Sequence, residues 1–410
     1  MSTPAPRPTR ALLAALVVAA SVLTGSLFAP GDARAARGME LAIQDDSLFV
    51  QGNKRFRGNK AFDYAKQLGV TRIRVNLLWA YTMPSSQYNR RRKPATINYN
   101  FSQIDQLIDR AAANGIRVHL SLTGPAPRWA NAKRASTKRA WFKPSPGQFG
   151  EFARVAANHF KGRVDRYSIW NEPNWKTWLG PLKSAPGIYR SMYSRAYTAI
   201  KKADRRAQVL IGETSPYARP GMSTAPLAFL RKVACVNSSY RRVKRCPTLK
   251  ADGYAHHPYD FRHAPNFQYP GSDNVTLGTL SRLTRALDRL QRSGALRFTR
   301  GGRMPLYLTE YGYFASGKRA LPARTRSRYL KQAYSIALRN GRVKSQMHYL
   351  LTTLPRGSGS TFNTGLVTRT GKRLPQFNAL RGWYRSNRGR VKRPSRSFSL
   401  PPAQASPTVG

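Results

Sequence analysis

Residues 165–174 read DRYSIWNEPN. A short apolar run stops abruptly at Asn171, Glu172, Pro173 and Asn174, and Glu172 is one of only five glutamates in 410 residues. On either side of this stretch the same grammar recurs. MELAI (39–43), TRIRVNLLWA (71–80) and RVHLSLTG (117–124) precede it. QVLIGETSP (208–216), DGYAHHPYD (252–260), PLYLTEYGYF (305–314) and KSQMHYLLTTLP (344–355) come after it. Between these runs lie segments with apolar residues at helical spacing, such as FSQIDQLIDRAAANGI from position 101. Eight strand–helix units in a row predict a single α/β domain, a (β/α)8 TIM barrel over residues 36–384. A doubly wound open sheet shares the alternation, but it usually carries a Gly-rich phosphate turn after its first strand, and none is present here.

The ends of the chain read differently. Arg7 and Arg10 precede the apolar stretch from Ala11 to Ala29, and the small-residue site Ala33-Arg34-Ala35 comes next. This is the pattern of an export signal over residues 1–35, read as cleaved after Ala35, with an uncleaved anchor as the alternative. The expected location is secreted or extracytoplasmic, with envelope association as an option. From Arg385 the sequence becomes basic and then rich in Pro and Ser, which predicts a disordered tail over 385–410. The two cysteines, Cys235 and Cys246, predict one disulfide closing a basic loop. With no third cysteine and no histidine inside that loop, no metal site is expected there.

Charge is the unusual feature. There are 71 Lys and Arg against 17 Asp and Glu, a formal net charge of +54. Such an excess predicts attraction to anionic polysaccharide or a cell-envelope surface, and the plain alternative is a set of solvated basic faces. No nucleic-acid-binding motif occurs, so no specific nucleic acid is expected. A monomer is expected.

In a barrel of this kind functional groups project from the C-terminal ends of the strands. Glu172 ends the fourth strand and Glu310 the seventh. Glu151 falls in a helix and Glu40 at the opposite, stabilising end of the first strand. Two carboxyl groups across a pocket can divide the labour, one protonated to donate to a leaving oxygen, the other ionised to attack an electron-poor carbon. Glu213, at the end of the fifth strand, is a third acid, read as a substrate contact or a structural ion pair.

IWNEPN at the fourth strand and LTEYG at the seventh resemble the two glutamate motifs of the clan A glycoside hydrolases, retaining TIM-barrel enzymes that include cellulase-like and β-xylosidase-like families. The resemblance extends over residues 39–384. RVNLLW on the second strand, HPY on the sixth and TGPAPRWA after the third are similar to further clan motifs. The resemblance implies a secreted retaining β-glycosidase acting on a poly- or oligosaccharide, with no cofactor and no metal. It implies Glu172 as acid/base, with its pKa raised by burial and by the like charge of Glu310, and Glu310 as nucleophile. Arg74 and Tyr259 would hold Glu310, Asn171 would bond a sugar 2-hydroxyl, and His257 would tune Glu172. Only one of His256 and His257 can face the pocket of a regular strand. Trp79, Trp129, Trp175 and Trp178 are candidate sugar platforms. The eighth strand departs from the pattern. It reads MHYLLT where many members have a tryptophan, so either Tyr349 or His348 serves as the sugar floor or the floor is built differently. Two other readings stay open: a sugar-binding barrel without catalysis, and a cationic envelope-associated protein that binds anionic polymers.

Overall fold

The barrel strands form where apolar residues are concentrated, and several stop at a polar or glycine-containing turn, as at Thr123-Gly124 and Asn171-Glu172. The computed structural model describes residues 38–410 apart from 53, 57, 133–140, 244 and 355–361. The export signal expected over 1–35 lies outside the described residues. The barrel strands are β1 (Glu40–Gln44), β2 (Val70–Leu78), β3 (Arg117–Thr123), β4 (Arg166–Ile169), β5 (Gln208–Thr214), β6 (Tyr254–His256), β7 (Leu306–Leu308) and β8 (Val343–Tyr349). They pair in sequence order, all parallel, and β8 closes on β1.

The companion helices are α1 (Lys60–Gln67), α2 (Ser102–Ala113), α3 (Pro146–His159), α4 (Ala185–Ala203), α5 (Pro226–Val233), α6 (Leu280–Arg292), α7 (Ala323–Arg339) and α8 (Pro375–Ser386). Each turns an apolar stripe to the strands. On α6 that stripe is Leu280, Leu283, Ala286, Leu287 and Leu290, at spacings of three and four. Burial of each such leucine contributes roughly 1.5–3 kcal/mol. The base of the barrel interior is closed by ion pairs. Arg72 donates to Glu40 at 3.1 Å and to Asp165 at 2.6 Å, and Arg166 to Glu40 at 2.5 Å. This is the stabilising position expected for Glu40.

Residues after 384 correct the sequence reading. α8 continues to Ser386, and the segment beyond it is bonded to the barrel, not disordered. Lys392 N–H donates to Met39 O at 3.0 Å and Phe398 N–H to Ala112 O at 3.2 Å. Thr408–Val409 then pairs antiparallel with Ile97–Asn98. The cause lies in a few spaced apolar residues. Val391 is buried, and Leu400 and Val409 pack against the core. A composition dominated by Arg, Pro and Ser hides such isolated anchors.

Candidate active site

Arg74 on β2 is the centre of the site. It is fully buried, and its guanidinium reaches residues at the ends of four other strands. It donates to Glu310 Oε1 at 2.9 Å, to Glu213 Oε2 at 3.0 Å, to Asn171 Oδ1 at 2.9 Å, and to Gln44. A planar fork with fixed donor directions suits this task, where a single ammonium would not. Glu310 comes just after β7 and also accepts from the Tyr259 hydroxyl at 3.1 Å.

His257, just beyond β6, joins the carboxylates. Its Nε2 lies 2.6 Å from Glu213 Oε2 and its Nδ1 3.1 Å from Glu172 Oε1. The same Nδ1 is 3.6 Å from Glu310 Oε2. The facing oxygens of Glu172 and Glu310 therefore cannot be farther apart than those last two distances laid end to end. His256 points the other way, between Thr214 Oγ1 and the Val275 carbonyl, each 2.9 Å away. The strand alternation thus resolves the pair in favour of His257.

The charges of this cluster shift one another. Burial opposes charging of His257, but Glu310, Glu172 and Glu213 outweigh it and raise the imidazole to about 10. Both ring nitrogens are then protonated at neutral pH, and both donate. Burial lifts the Glu310 carboxyl above its ordinary value, with Glu172 and Glu213 adding to the lift and His257 and Arg74 opposing it. Glu213 is buried too, yet Arg74 and His257 hold it well below the usual carboxylate range.

Local backbone geometry builds the cluster. Trp170, Glu172 and Glu213 adopt positive φ values of 64°, 38° and 51°, a strained region for residues other than glycine. At β5 the pairing with β6 slips between Gly212 and Thr214. Gly212 has φ 115°, and a Cβ there would lie 2.4 Å from the Ala255 carbonyl. The slip turns Glu213 inward, out of the regular alternation, and Thr309 Oγ1 also donates to it at 2.9 Å. Gln44 and Thr309 therefore belong to the cluster, as does Thr123, whose hydroxyl accepts from Asn171 N–H at 3.0 Å. All three stand at C-terminal strand ends with inward parity, the signal that could have revealed them.

The aromatic candidates divide. Tyr349 is half-buried at the end of β8, close enough for Glu310, after burial itself, to raise its phenol. His348 faces away and bonds the Thr364 carbonyl at 3.0 Å. Trp175 is half-buried beside the Glu172 turn, with Arg219 5.4 Å above its ring. Trp178 is half-buried against the core, and its carbonyl accepts from the Trp170 indole. Trp79 is not the platform expected. It is completely buried, stacked on Phe152 and edge-on to Trp129 and Phe149. The turn after β2 folds its indole inward onto α3, which removes it from any ligand. Trp129 stays half-buried above it.

A family model for cellulase, glycosyl hydrolase family 5, matches residues 31–341. The chain belongs to the cellulase family. The match to this family stops short of β8, the strand where the sequence departs from the clan pattern. Solved structures similar to this cellulase-family chain include a family 39 glycoside hydrolase from Bacteroides cellulosilyticus WH2. It is 17% identical with a TM-score of 0.59, over 85% of this chain and 63% of that one. A monomeric beta-xylosidase from Caulobacter crescentus CB15 is 18% identical with a TM-score of 0.52, over 85% and 69% of the two chains. A GH5_18 variant from Streptomyces cattleya in complex with Manb1-4GlcNAc is 15% identical with a TM-score of 0.56, over 88% and 83%. At these identities the likeness concerns the fold. The chain spans 63% of the length of the first of these structures. No curated protein sequence matches it.

Proposed function

We propose that this chain is an exported retaining β-glycosidase that hydrolyses a poly- or oligosaccharide by double displacement. The observation that carries the reading is the convergence of Glu172 and Glu310 on one ring nitrogen, His257 Nδ1, at 3.1 and 3.6 Å. Retaining enzymes place their two carboxyl groups about 5–5.5 Å apart, whereas inverting enzymes leave room for a water between them. Family membership and the placement of both acids at strand ends support the same conclusion.

The environments divide the roles. Glu310 is gripped by Arg74 and Tyr259, which fix its oxygens and favour the ionised nucleophile once the pair carries a single proton. It would attack the anomeric carbon as the leaving oxygen departs. Glu172 is the more open of the two, its side chain 19% exposed against 10% for Glu310. It would give its proton to that oxygen, then take one from the water that cleaves the glycosyl-enzyme. Asn171 has its Oδ1 engaged by Arg74, which leaves its amide nitrogen to donate to a sugar hydroxyl. Tyr349 and Trp175 supply flat faces near the reacting centre. Export is supported by the sequence of residues 1–35 and by the Cys235–Cys246 disulfide.

Kinetics on aryl glycosides with good leaving groups test the roles. Glu310→Gln should lose several orders of magnitude on every substrate. Glu172→Ala should keep its first step and stall in the second, with azide restoring turnover. Equal loss in the two variants without azide rescue would reject the assignment.

A further inference from the structure

We propose that the surface running from the outer face of α4, across the disulfide loop, to the end of α6 is a docking site for an acidic polysaccharide. The proposal rests on the glycan reading of the active site and adds a second, non-catalytic contact to it. Topology separates the two places. Glu172 and Glu310 stand at the C-terminal strand ends, whereas the loop between α5 and β6 and the end of α6 lie at the base and flank.

The sequence between Glu213 and Asp252 contains eight Lys and Arg and no acid. The fold gathers this run with two helices. Arg190 on α4 donates to Val233 O at 2.7 Å, Thr248 Oγ1 to Gly294 O at 2.7 Å, and Arg242 to Gly294 O at 3.2 Å. Arg289 on α6 lies 5.4 Å from the Tyr240 ring. The nearby acids are already engaged, Asp273 by Arg231, Asp252 by Lys201 and Asp288 by Arg342. Arg195, Lys202, Arg241, Arg245, Arg289 and Arg292 are exposed and have no acidic partner among the described residues.

The chemistry of the surface suits an acidic glycan and not a bilayer. A depression of about 530 Å³ is lined by Ser238, Ser239, Tyr240 and Ser293 together with Arg289 and Arg292. Hydroxyl groups beside guanidinium groups match a chain that carries both hydroxyls and carboxylates. Docking into a bilayer interface needs an apolar face beside the basic one. The large exposed hydrophobic residues Tyr81 and Phe267 lie in loops after β2 and β6, and among the described residues this surface offers only Val243. Each exposed charge contributes little, but many act together on one polymer, and a docked polymer raises the local concentration of its own bonds.

The test is a charge-reversal variant, Arg241→Glu, Arg245→Glu, Arg289→Glu and Arg292→Glu. Its control reverses the exposed run Arg90, Arg91, Arg92 and Lys93, which changes net charge equally. Binding to polygalacturonate, a neutral glucan, duplex DNA and phosphatidylglycerol vesicles is measured over a salt series, alongside unfolding midpoints and turnover of a small neutral aryl glycoside. The surface variant should bind polygalacturonate on the order of tenfold or more weakly at physiological salt, with the control near wild type and turnover unchanged in each. Equal weakening in variant and control would overturn the site, as would an unaffected surface variant. Tighter wild-type binding to DNA or vesicles than to polygalacturonate would overturn the acidic-polysaccharide assignment. Failure of the glycosidase reading would appear separately, as absent turnover in the wild-type protein.

Discussion

Replacing Glu213 with glutamine keeps the outline of the side chain and removes one negative charge from a fully buried position. The donors Arg74, His257 and Thr309 all converge on Oε2, and Oε1 has no partner among the described residues. A glutamine can therefore keep its carbonyl on the three donors and set its NH2 where Oε1 stands. What is lost is charge assistance. Hydrogen bonds to charged groups are worth about 1.5–3 kcal/mol, and one pKa unit is about 1.4 kcal/mol. The His257 imidazole, raised to about 10, should fall by about 1–2 units. Its folded-state pKa lies above the unfolded value of about 6.5, so the stability from charging it is complete below that pH. That stability is lost as pH rises through the folded pKa, and the variant should finish losing it about 1–2 units earlier. The assay is NMR titration of the imidazole with urea unfolding from about pH 6 to 11. An unmoved or upward-shifted His257 titration would refute the coupling between Glu213 and the imidazole.

Arg74→Lys should fold but lose about 10²–10³ in kcat, because one ammonium cannot serve Gln44, Asn171, Glu213 and Glu310 together; circular dichroism separates this from unfolding. Deleting residues 387–410 should lower stability by about 2–5 kcal/mol in urea, from exposing the contacts of Val391, Leu400 and Val409; an unchanged midpoint would remove their anchoring role. Hydrolysis of a β-linked aryl glycoside, monitored by NMR, should release the β-anomer first, and the α-anomer first would exclude retention.

Much of this architecture was legible because it depends on local periodicity. Each strand was visible as an apolar run ended by polar residues, and the order of eight units left few ways to close a sheet. Glu172 and Glu310 stood out because acids are scarce in this chain and both come directly after such runs. The choice between His256 and His257 needed only strand parity, once the pocket side was known. Glu213 was less legible, since its inward position depends on a register slip at Gly212 that no alternation rule contains. Trp79 misled because a tryptophan after a strand end can turn to solvent or to a helix, and only α3 decides. The residues after 384 misled for a related reason, since single apolar anchors reveal their partners only when the barrel is present.

The strap from Lys392 to Val409 also orders events in time. It joins the base of β1, through Met39, to Ile97–Asn98 beyond β2, so residues synthesised after the barrel complete contacts with residues of its first two units. Contacts that span the whole chain form late, because the long loop between them must be closed first. Until residues 343–349 emerge the barrel lacks the β1–β8 seam, and until residues 392–409 emerge it lacks this strap. Exported as proposed, the chain crosses without these long-range contacts and closes its barrel only after β8 has followed β1 across.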